Sequence, residues 1–210
     1  MRNNVYLFKV TTSIILLLLL NFANAQNSDI DFLRNINLNR NKSQDQALKV
    51  VTNSLTPVSI ATPVIMYSVG LIMKDSTVKK KAIFVGETLL VSRFITLALK
   101  KTVNRDRPFE TYSDIEQATT ATGSSFPSGH ASLAFATATS LSMAYPKWYI
   151  IAPSFAWASA VSYSRMALGV HYPSDVLAGA IIGSGSAYLC YKLNKWINKK
   201  HSKKIPQLWE

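Results

Sequence analysis

The sequence predicts an all-α fold, a helical bundle of about five to six apolar helices that is embedded in a membrane. Three observations support this prediction. Hydrophobic residues make up 48% of the 210 residues, whereas charged residues make up only 16%. Long apolar segments follow one another along the chain, without the period-two alternation and glycine-rich hairpins typical of β-strands. The basic residues between these segments are distributed as expected for the loops of a membrane protein.

Residues 1–25 have the features of a secretory signal peptide. Two basic residues, Arg2 and Lys9, precede a short apolar run, and the segment ends in an A-x-A cleavage motif at Ala23 to Ala25. An uncleaved first membrane helix is the alternative interpretation. Both interpretations predict that the chain is exported and that Gln26 lies outside the cytoplasm.

Residues 26–54 form a polar, asparagine-rich segment before the first long apolar stretch. Within it, residues 43–46 have the pattern of a capping box, which predicts a short amphipathic helix ended with the help of Pro57. We interpret this helix as a surface element without a chemical role.

Five apolar segments then follow, at residues 55–73, 82–99, 131–146, 148–164 and 176–191. The first is uncharged and close to the roughly 20 residues that cross a bilayer. The second contains Glu87 and Arg93, which we expect to pair within the bundle. The last three are shorter and rich in small residues, and Gly179-x-x-x-Gly183 is a pattern that lets membrane helices approach closely.

Lysine and arginine outnumber aspartate and glutamate 23 to 11, for a formal net charge of +12. If Gln26 lies outside, alternate crossings bring residues 74–81, Lys147 and the basic tail 195–210 to the cytoplasmic side. A tightly packed soluble helical bundle is the alternative, but it would not require this distribution. Nucleic-acid binding is not expected, because long uncharged segments separate the basic residues. The single cysteine, Cys190, excludes an internal disulfide.

The same alternation sends three polar groups of residues to the outer end of the bundle. The first extends from Lys100 to Arg107-Pro108, after the second apolar segment. The second is Pro127-Ser128-Gly129-His130, directly before an uncharged helix. The third joins Ser164-Arg165 to His171 and Asp175 between the last two helices. Their convergence on one face is the strongest functional signal in the chain.

Each group has chemistry suited to phosphate. Ser128, Gly129 and His130 occupy a predicted helix N-terminus, where free backbone N–H groups bind anions. Arg165 ends an otherwise uncharged segment, and a guanidinium in such a place is costly unless it binds an anion. Asp175 lies four residues after His171, a spacing that allows the carboxylate to orient the imidazole for nucleophilic attack.

Taken singly, these residues have ordinary structural interpretations. A lone histidine such as His171 or His130 is more often a hydrogen-bonded structural residue than a catalytic group. Lys100, Lys101 and Arg105 could each anchor a helix at the membrane interface. His201 in the basic tail is expected to be a solvated surface residue.

Together, the residues resemble a known family. Lys100-x6-Arg107-Pro108, then Pro127-Ser128-Gly129-His130, then Ser164-Arg165-x5-His171-x3-Asp175 are similar to the three signature motifs of the type 2 phosphatidic acid phosphatase and vanadium haloperoxidase superfamily. All three motifs are complete and in order, and chance agreement of this kind is rare. The resemblance covers residues 100–175.

The resemblance implies a metal-independent phosphatase in which residues 55–194 form the catalytic helical domain and no cofactor is required. His171 would be the nucleophile that forms a phosphohistidine, Asp175 would orient it, and His130 would protonate the leaving oxygen. The phosphate oxygens would be held by the remaining motif residues, Lys100, Arg107, Ser128, Gly129 and Arg165. Fixed cations supply the charge stabilisation that phosphoryl transfer needs.

The main hypothesis is therefore a lipid phosphate phosphatase of the cell (inner) membrane, with its site facing the periplasm or outside. Its partner would be a lipid phosphate or another phosphate ester. An exported, soluble periplasmic acid phosphatase is the alternative, and a vanadium haloperoxidase or a non-catalytic lipid-binding protein is a more distant one. Residues 109–126 could cover the site or select the lipid. The sequence does not specify an oligomeric state.

Overall fold

Helices and their connections make up residues 28–201, the part of the chain that the computed structural model describes, with side chains as far as Ile197. The predicted signal segment, 1–25, and most of the basic tail lie outside the described residues. Over the described range no strand is present, so the predicted all-α bundle is confirmed.

Eight helices occur in this range. They are α1 (residues 28–38), α2 (Asp45–Asn53), α3 (Leu55–Ile72), α4 (Ser76–Val103), α5 (Pro108–Thr111), α6 (Gly129–Ala144), α7 (Trp148–Ala167) and α8 (Pro173–His201). The five apolar segments predicted from the sequence correspond to α3, α4, α6, α7 and α8. A short 3-10 turn, Lys42–Gln44, precedes α2.

The polar segment before α3 folds onto the bundle. On α1, Ile30 and Leu33 pack with Ile115 and Tyr172 in one buried cluster. The buried amide of Asn37 donates hydrogen bonds to the carbonyls of Glu116 and Ala167, at 3.0 and 2.9 Å. These contacts fix α1 over the loop that precedes α6.

The predicted capping box at residues 43–46 does not form. The α2 helix begins at Asp45 without a side-chain cap, and Asn41 instead caps the preceding 3-10 turn by accepting from the Ser43 N–H at 3.1 Å. Pro57 lies inside the first turn of α3 rather than after a helix end. Proline is tolerated there because first-turn N–H groups have no partner within the helix.

The α6 helix lies at the centre of the bundle and contacts α3, α4, α7 and α8. Its buried residues are all small: Ala131, Ser132, Ala134, Ala136, Thr137, Ala138, Ser140, Ser142 and Ala144. Small side chains allow neighbouring helices to approach from several sides. Gly179 and Gly183 of α8 extend this contact, because a Cβ atom at Gly183 would lie 2.2 Å from the Ser132 carbonyl oxygen.

Three helical stretches of the described chain are long and apolar enough to cross a membrane: Lys42–Ile72, Ser76–Thr111 and Pro173–Ile197. The outer surfaces of α3, α4 and α8 carry large exposed apolar side chains, among them Leu90 and Phe94, which are 73% and 74% exposed. The α6 and α7 helices are not among these stretches. With only 16 residues, many of them small and polar, α6 is too short to span on its own.

The bundle has two chemically different ends. At one end the α3–α4 and α6–α7 connections meet, and the Lys81 ammonium lies 4.4 Å from the centre of the Tyr145 ring. The α4–α5 connection, the start of α6 and the α7–α8 connection lie at the other end. All the residues that the sequence predicts to bind or attack phosphate lie at that second end.

Candidate active site

The predicted site residues come from the ends of five helices. Lys100 lies in the last turn of α4, Arg107 caps α5, and Ser128, Gly129 and His130 begin α6. Arg165 lies in the last turn of α7, and His171 and Asp175 flank the start of α8. The fold brings all eight to the same end of the bundle.

His171 and Asp175 are adjacent and almost fully buried. The Nδ1 atom of His171 lies 3.4 Å from Oδ2 of Asp175. The same Oδ2 accepts hydrogen bonds from the Tyr172 N–H at 3.0 Å and the Ser125 hydroxyl at 2.5 Å. Arg105 donates to the other oxygen, Oδ1, at 2.9 Å. With both oxygens engaged, the carboxylate is fixed in position beside the imidazole.

The second ring nitrogen of His171 faces a cation. Its Nε2 atom lies 3.5 Å from Nη1 of Arg107. Burial lowers the pKa of His171 to about 4, because it outweighs the raising effect of Asp175, and the charges of Arg107 and Arg165 lower the pKa a little further. The imidazole is therefore neutral at pH 7. If Nδ1 carries the proton toward Asp175, the lone pair is on Nε2.

Arg107 is held by main-chain carbonyls rather than by acids. Its guanidinium donates at 2.8 to 2.9 Å to the carbonyl oxygens of Thr122, Gly123 and Val170. Lys100 likewise donates to the carbonyl of Ser124. Carbonyl groups orient these cations but carry no full negative charge, so the positive charge at the site remains available to an anion.

Arg165 is the least satisfied cation of the site. It is only 4% exposed, Nη1 donates to the Thr52 hydroxyl at 3.0 Å, and Nε has no hydrogen-bond partner. No acid of residues 28–197 forms an ion pair with it. Burying a guanidinium without a compensating negative charge costs on the order of several kcal/mol, as it does for other charged groups. An anion at this position would remove that cost.

The start of α6 completes the site. The Ser128 side chain caps the helix by accepting from the Ala131 N–H at 3.4 Å, and its hydroxyl proton remains free to bind an anion. The Ser128 N–H donates to the Asp175 carbonyl at 2.9 Å, which ties α6 to α8. Gly129 faces α4, where a Cβ atom would lie 3.9 Å from Cε of Lys100.

His130 follows on the same turn and is half-buried. Burial lowers the pKa of its imidazole to about 3, and Arg165 and the other charged groups of the site lower it further. The arrangement thus combines a neutral, oriented histidine, a second histidine and three cations around one helix N-terminus. Such a group can bind a tetrahedral oxyanion and transfer protons next to it.

Comparison with known families identifies the chain. The family model of the PAP2 superfamily matches residues 81–199, more than half of the sequence. The chain belongs to the PAP2 superfamily. The match includes every predicted site residue, so the resemblance carried by the three motifs is confirmed at the level of the family.

Curated relatives of this PAP2 chain come from archaea and bacteria. It is 35% identical over 114 residues to an undecaprenyl-diphosphatase of Sulfolobus acidocaldarius, covering 52% of this chain and 55% of that protein. It is 42% identical over 69 residues to a lipid A 4'-phosphatase of Bacteroides thetaiotaomicron, covering 33% of this chain and 31% of that protein. The chain thus spans about half or less of the length of these relatives.

Two solved structures share the fold. LpxE of Aquifex aeolicus superimposes with a TM-score of 0.68 at 26% identity, covering 78% of this chain and 94% of that one. A transmembrane PAP2 type phosphatidylglycerolphosphate phosphatase of Bacillus subtilis gives a TM-score of 0.69 at 22% identity, covering 87% and 90%. The second similarity concerns the fold alone.

One residue of this PAP2 site was misinterpreted from the sequence. Arg105 was expected to anchor α4 at the membrane interface, but it is half-buried and joins Asp175 to Asp29 of α1, at 2.9 Å each. Its guanidinium also stacks 3.7 Å from the centre of the Tyr172 ring. Asp29 in turn accepts from the Ser174 N–H at 2.8 Å. Nothing in the spacing of these residues connects α1 with the third motif.

Replacing Arg105 with glutamine is expected to lower kcat by about 10-fold to 100-fold with little change in KM, because Asp175 loses its charged partner and orients His171 less well. Steady-state phosphate release in detergent would measure both constants. The control is Arg34→Gln, which removes an exposed ion pair of α1 with Asp114 and should leave kcat unchanged. Equal kcat values for the two variants would contradict a positioning role for Arg105.

The expected pairing of Glu87 with Arg93 is wrong. Glu87 accepts a hydrogen bond from the Asn194 amide of α8 at 2.9 Å. Six residues of α-helix place two side chains about 120° apart, so Glu87 and Arg93 do not share a face. Arg93 instead points toward Gly129 at the start of α6.

The acids and histidines of the described chain do not gather in the manner of a metal centre. Among those residues, no group of three or more His, Cys, Asp or Glu side chains could hold a metal ion. The charged groups that do converge near Ser128 are mainly cations.

Proposed function

We propose that this chain is a membrane-embedded, metal-independent phosphatase that hydrolyses a phosphate ester or diphosphate of a lipid through a phosphohistidine on His171. One observation carries the proposal. Arg165 is buried without an acidic partner, beside a neutral histidine oriented by Asp175. A site built in this way is suited to a phosphate that is both bound and attacked.

In the first step, the lone pair of His171 Nε2 attacks the phosphorus and the bond from phosphorus to the leaving oxygen breaks. The negative charge of the bound phosphate would raise the pKa of His130 against the effect of burial and of the neighbouring cations. The protonated imidazole then gives its proton to that oxygen, which leaves as the lipid alcohol or as a lipid monophosphate. In the second step, His130 takes a proton from water, whose oxygen attacks the phosphorus. The phosphorus–nitrogen bond breaks, inorganic phosphate leaves, and His171 is regenerated.

Arg107, Arg165 and Lys100 would bind the three non-bridging oxygens, whose negative charge the transition state redistributes. The Ser128 hydroxyl and the Gly129 N–H would add neutral donors at the helix N-terminus. Fixed cations supply the electrostatic stabilisation that Mg²⁺ provides in many other phosphoryl-transfer enzymes, which is the basis for proposing metal independence.

A membrane location is supported by the exposed apolar surfaces of α3, α4 and α8. Exposing apolar surfaces of this extent to water would be unfavourable. The relatives named as an undecaprenyl-diphosphatase and as lipid A phosphatases support a lipid substrate. We infer that the site faces the outer side, because the lysine-rich turn of residues 74–81 lies at the opposite end.

We also propose that the functional unit extends beyond residues 55–194. Thr52 of α2 contacts Arg165, and Asp29 of α1 contacts Arg105. A domain cut at Leu55 would lose both contacts.

The test is phosphate release by detergent-purified protein from phosphatidic acid, phosphatidylglycerol phosphate, a polyprenyl diphosphate, lipid A and a water-soluble phosphate ester. We expect at least one lipid to be preferred, full activity after removal of divalent cations with EDTA, and inhibition by vanadate. A protein that stays soluble without detergent and prefers the soluble ester would instead be an exported acid phosphatase. Strict dependence on Mg²⁺ would refute the proposed chemistry.

A further inference from the structure

Arg93 is a cation that the proposed reaction does not use. It lies on α4, on the same face as Thr96 and Lys100, and is exposed. Among residues 28–197 it has neither a hydrogen bond nor an ion pair, since Glu87 is bound to Asn194. Its guanidinium is therefore available to a ligand.

The side chain points at the start of α6. A Cβ atom at Gly129 would lie 3.7 Å from Nη1 of Arg93, 3.8 Å from Cγ2 of Thr96 and 3.9 Å from Cε of Lys100. Arg93 thus lies beside the residue that precedes His130. Along the axis of α4, its backbone lies about 10 Å from that of Lys100, toward the N-terminus of the helix.

Its surroundings make an unpaired arginine costly. The neighbouring positions Leu90, Phe94 and Leu97 are large, apolar and exposed. Ten residues separate Arg93 from the end of α4 at Val103, a distance of about 15 Å along the helix. The guanidinium does not reach that helix end, but it extends as far as Gly129 at the start of α6. Ionisable residues within an apolar helical stretch long enough to cross a membrane are typical of functional sites.

We propose that Arg93 binds a second phosphate of the substrate, the one that stays on the lipid after cleavage, and so favours lipid diphosphates over monophosphates. The inference rests on the proposed function. There, His130 gives its proton to the leaving oxygen, which in a diphosphate is the bridging oxygen of the second phosphate. That phosphate must therefore lie next to His130 and Gly129, within reach of Arg93. A monophosphate ester has an uncharged carbon in the same place.

The reaction of such a substrate balances without another reactant. His171 attacks the terminal phosphorus, the bond to the bridging oxygen breaks, and that oxygen takes a proton from His130. The lipid leaves as a monophosphate, and water releases the terminal group as inorganic phosphate. Throughout, Arg93 remains paired with the phosphate that the lipid retains.

The experiment compares farnesyl diphosphate with farnesyl monophosphate, which differ only in the second phosphate. We expect Arg93→Gln to lower kcat/KM for the diphosphate about 30-fold to 100-fold and for the monophosphate less than about threefold. Arg93→Lys should fall between wild type and Arg93→Gln. The matched control is Lys101→Gln, which removes an exposed cation of the same helix and should change neither substrate.

Equal losses on the two substrates, or no loss, would overturn the inference while leaving the proposed phosphatase intact. Hydrolysis of the monophosphate alone by wild type would do the same. If wild type released phosphate from neither, the proposed function would fail. Thermal protection would then test whether Arg93 binds a second phosphate. Inorganic pyrophosphate should raise the Tm of wild type more than phosphate does, and Arg93→Gln should abolish that difference. Identical protection of the two proteins would reject the subsite.

Discussion

Replacement of His171 with alanine is expected to lower phosphate release about 10,000-fold or more, to the level left by binding and electrostatics alone. Among residues 28–197, the imidazole of His171 is the only side chain with one ring nitrogen beside Asp175 and the other beside Arg107. Because Nδ1 faces the carboxylate and Nε2 faces the cation, no neighbouring side chain can take over the attack. The loss should appear in kcat rather than in KM.

A covalent readout separates a nucleophile from a structural histidine. With a radiolabelled substrate, acid-sensitive and base-stable label should accumulate on wild type and be missing from His171→Ala. The matched control is His201→Ala, which removes a histidine of the C-terminal tail and should retain label and turnover. Turnover by His171→Ala at the wild-type rate would refute every catalytic interpretation of this site.

Replacement of Arg165 with lysine is expected to lower kcat/KM about 100-fold to 1,000-fold although the charge is kept. Thr52 occupies one N–H of the guanidinium, and the remaining donors, including the unpartnered Nε, are free for two phosphate oxygens at once. An ammonium group cannot reproduce this fork, and its shorter reach leaves one oxygen without a donor. Phosphate release at varied substrate concentration measures the change.

Arg40 provides the matched control for this replacement. Its side chain is as buried as that of Arg165, but Asp45, Glu116 and the Asn37 carbonyl engage its donors at 2.7 to 3.2 Å. Arg40→Lys should therefore lower the Tm and leave kcat/KM of the folded protein unchanged. If both variants lost activity in proportion to stability, Arg165 would be a structural residue.

The helices and the convergence of the motifs could be predicted because they depend on local patterns. An uncharged segment of about bilayer length predicts α3, and a segment rich in small residues predicts the tightly packed α6. His171 and Asp175 are four residues apart, so their contact requires only one turn at the start of α8. This part of the site can therefore be predicted from the short-range spacing of residues in the sequence.

The supporting contacts could not be predicted, because they join distant parts of the chain. Asn37 and Glu116, Thr52 and Arg165, and Asp29 and Arg105 each meet only through the tertiary fold. Arg105 has the charge and the sequence position of a membrane-interface anchor, and only the tertiary placement of α1 brings Asp29 to it. The misjudged pairing of Glu87 with Arg93 has the same origin, since Asn194 comes from the other end of the chain.

The bridge from Asp29 through Arg105 to Asp175 also bears on the order in which the protein acquires activity. Asp29 emerges early from the ribosome and Asp175 among the last parts of the bundle, so the carboxylate that orients His171 meets its partners only after α8 has entered. A partly synthesised chain already contains Lys100, Arg107 and His130 but lacks His171, the proposed nucleophile. We therefore expect hydrolysis to begin only once the helices are complete, so that activity would indicate finished assembly.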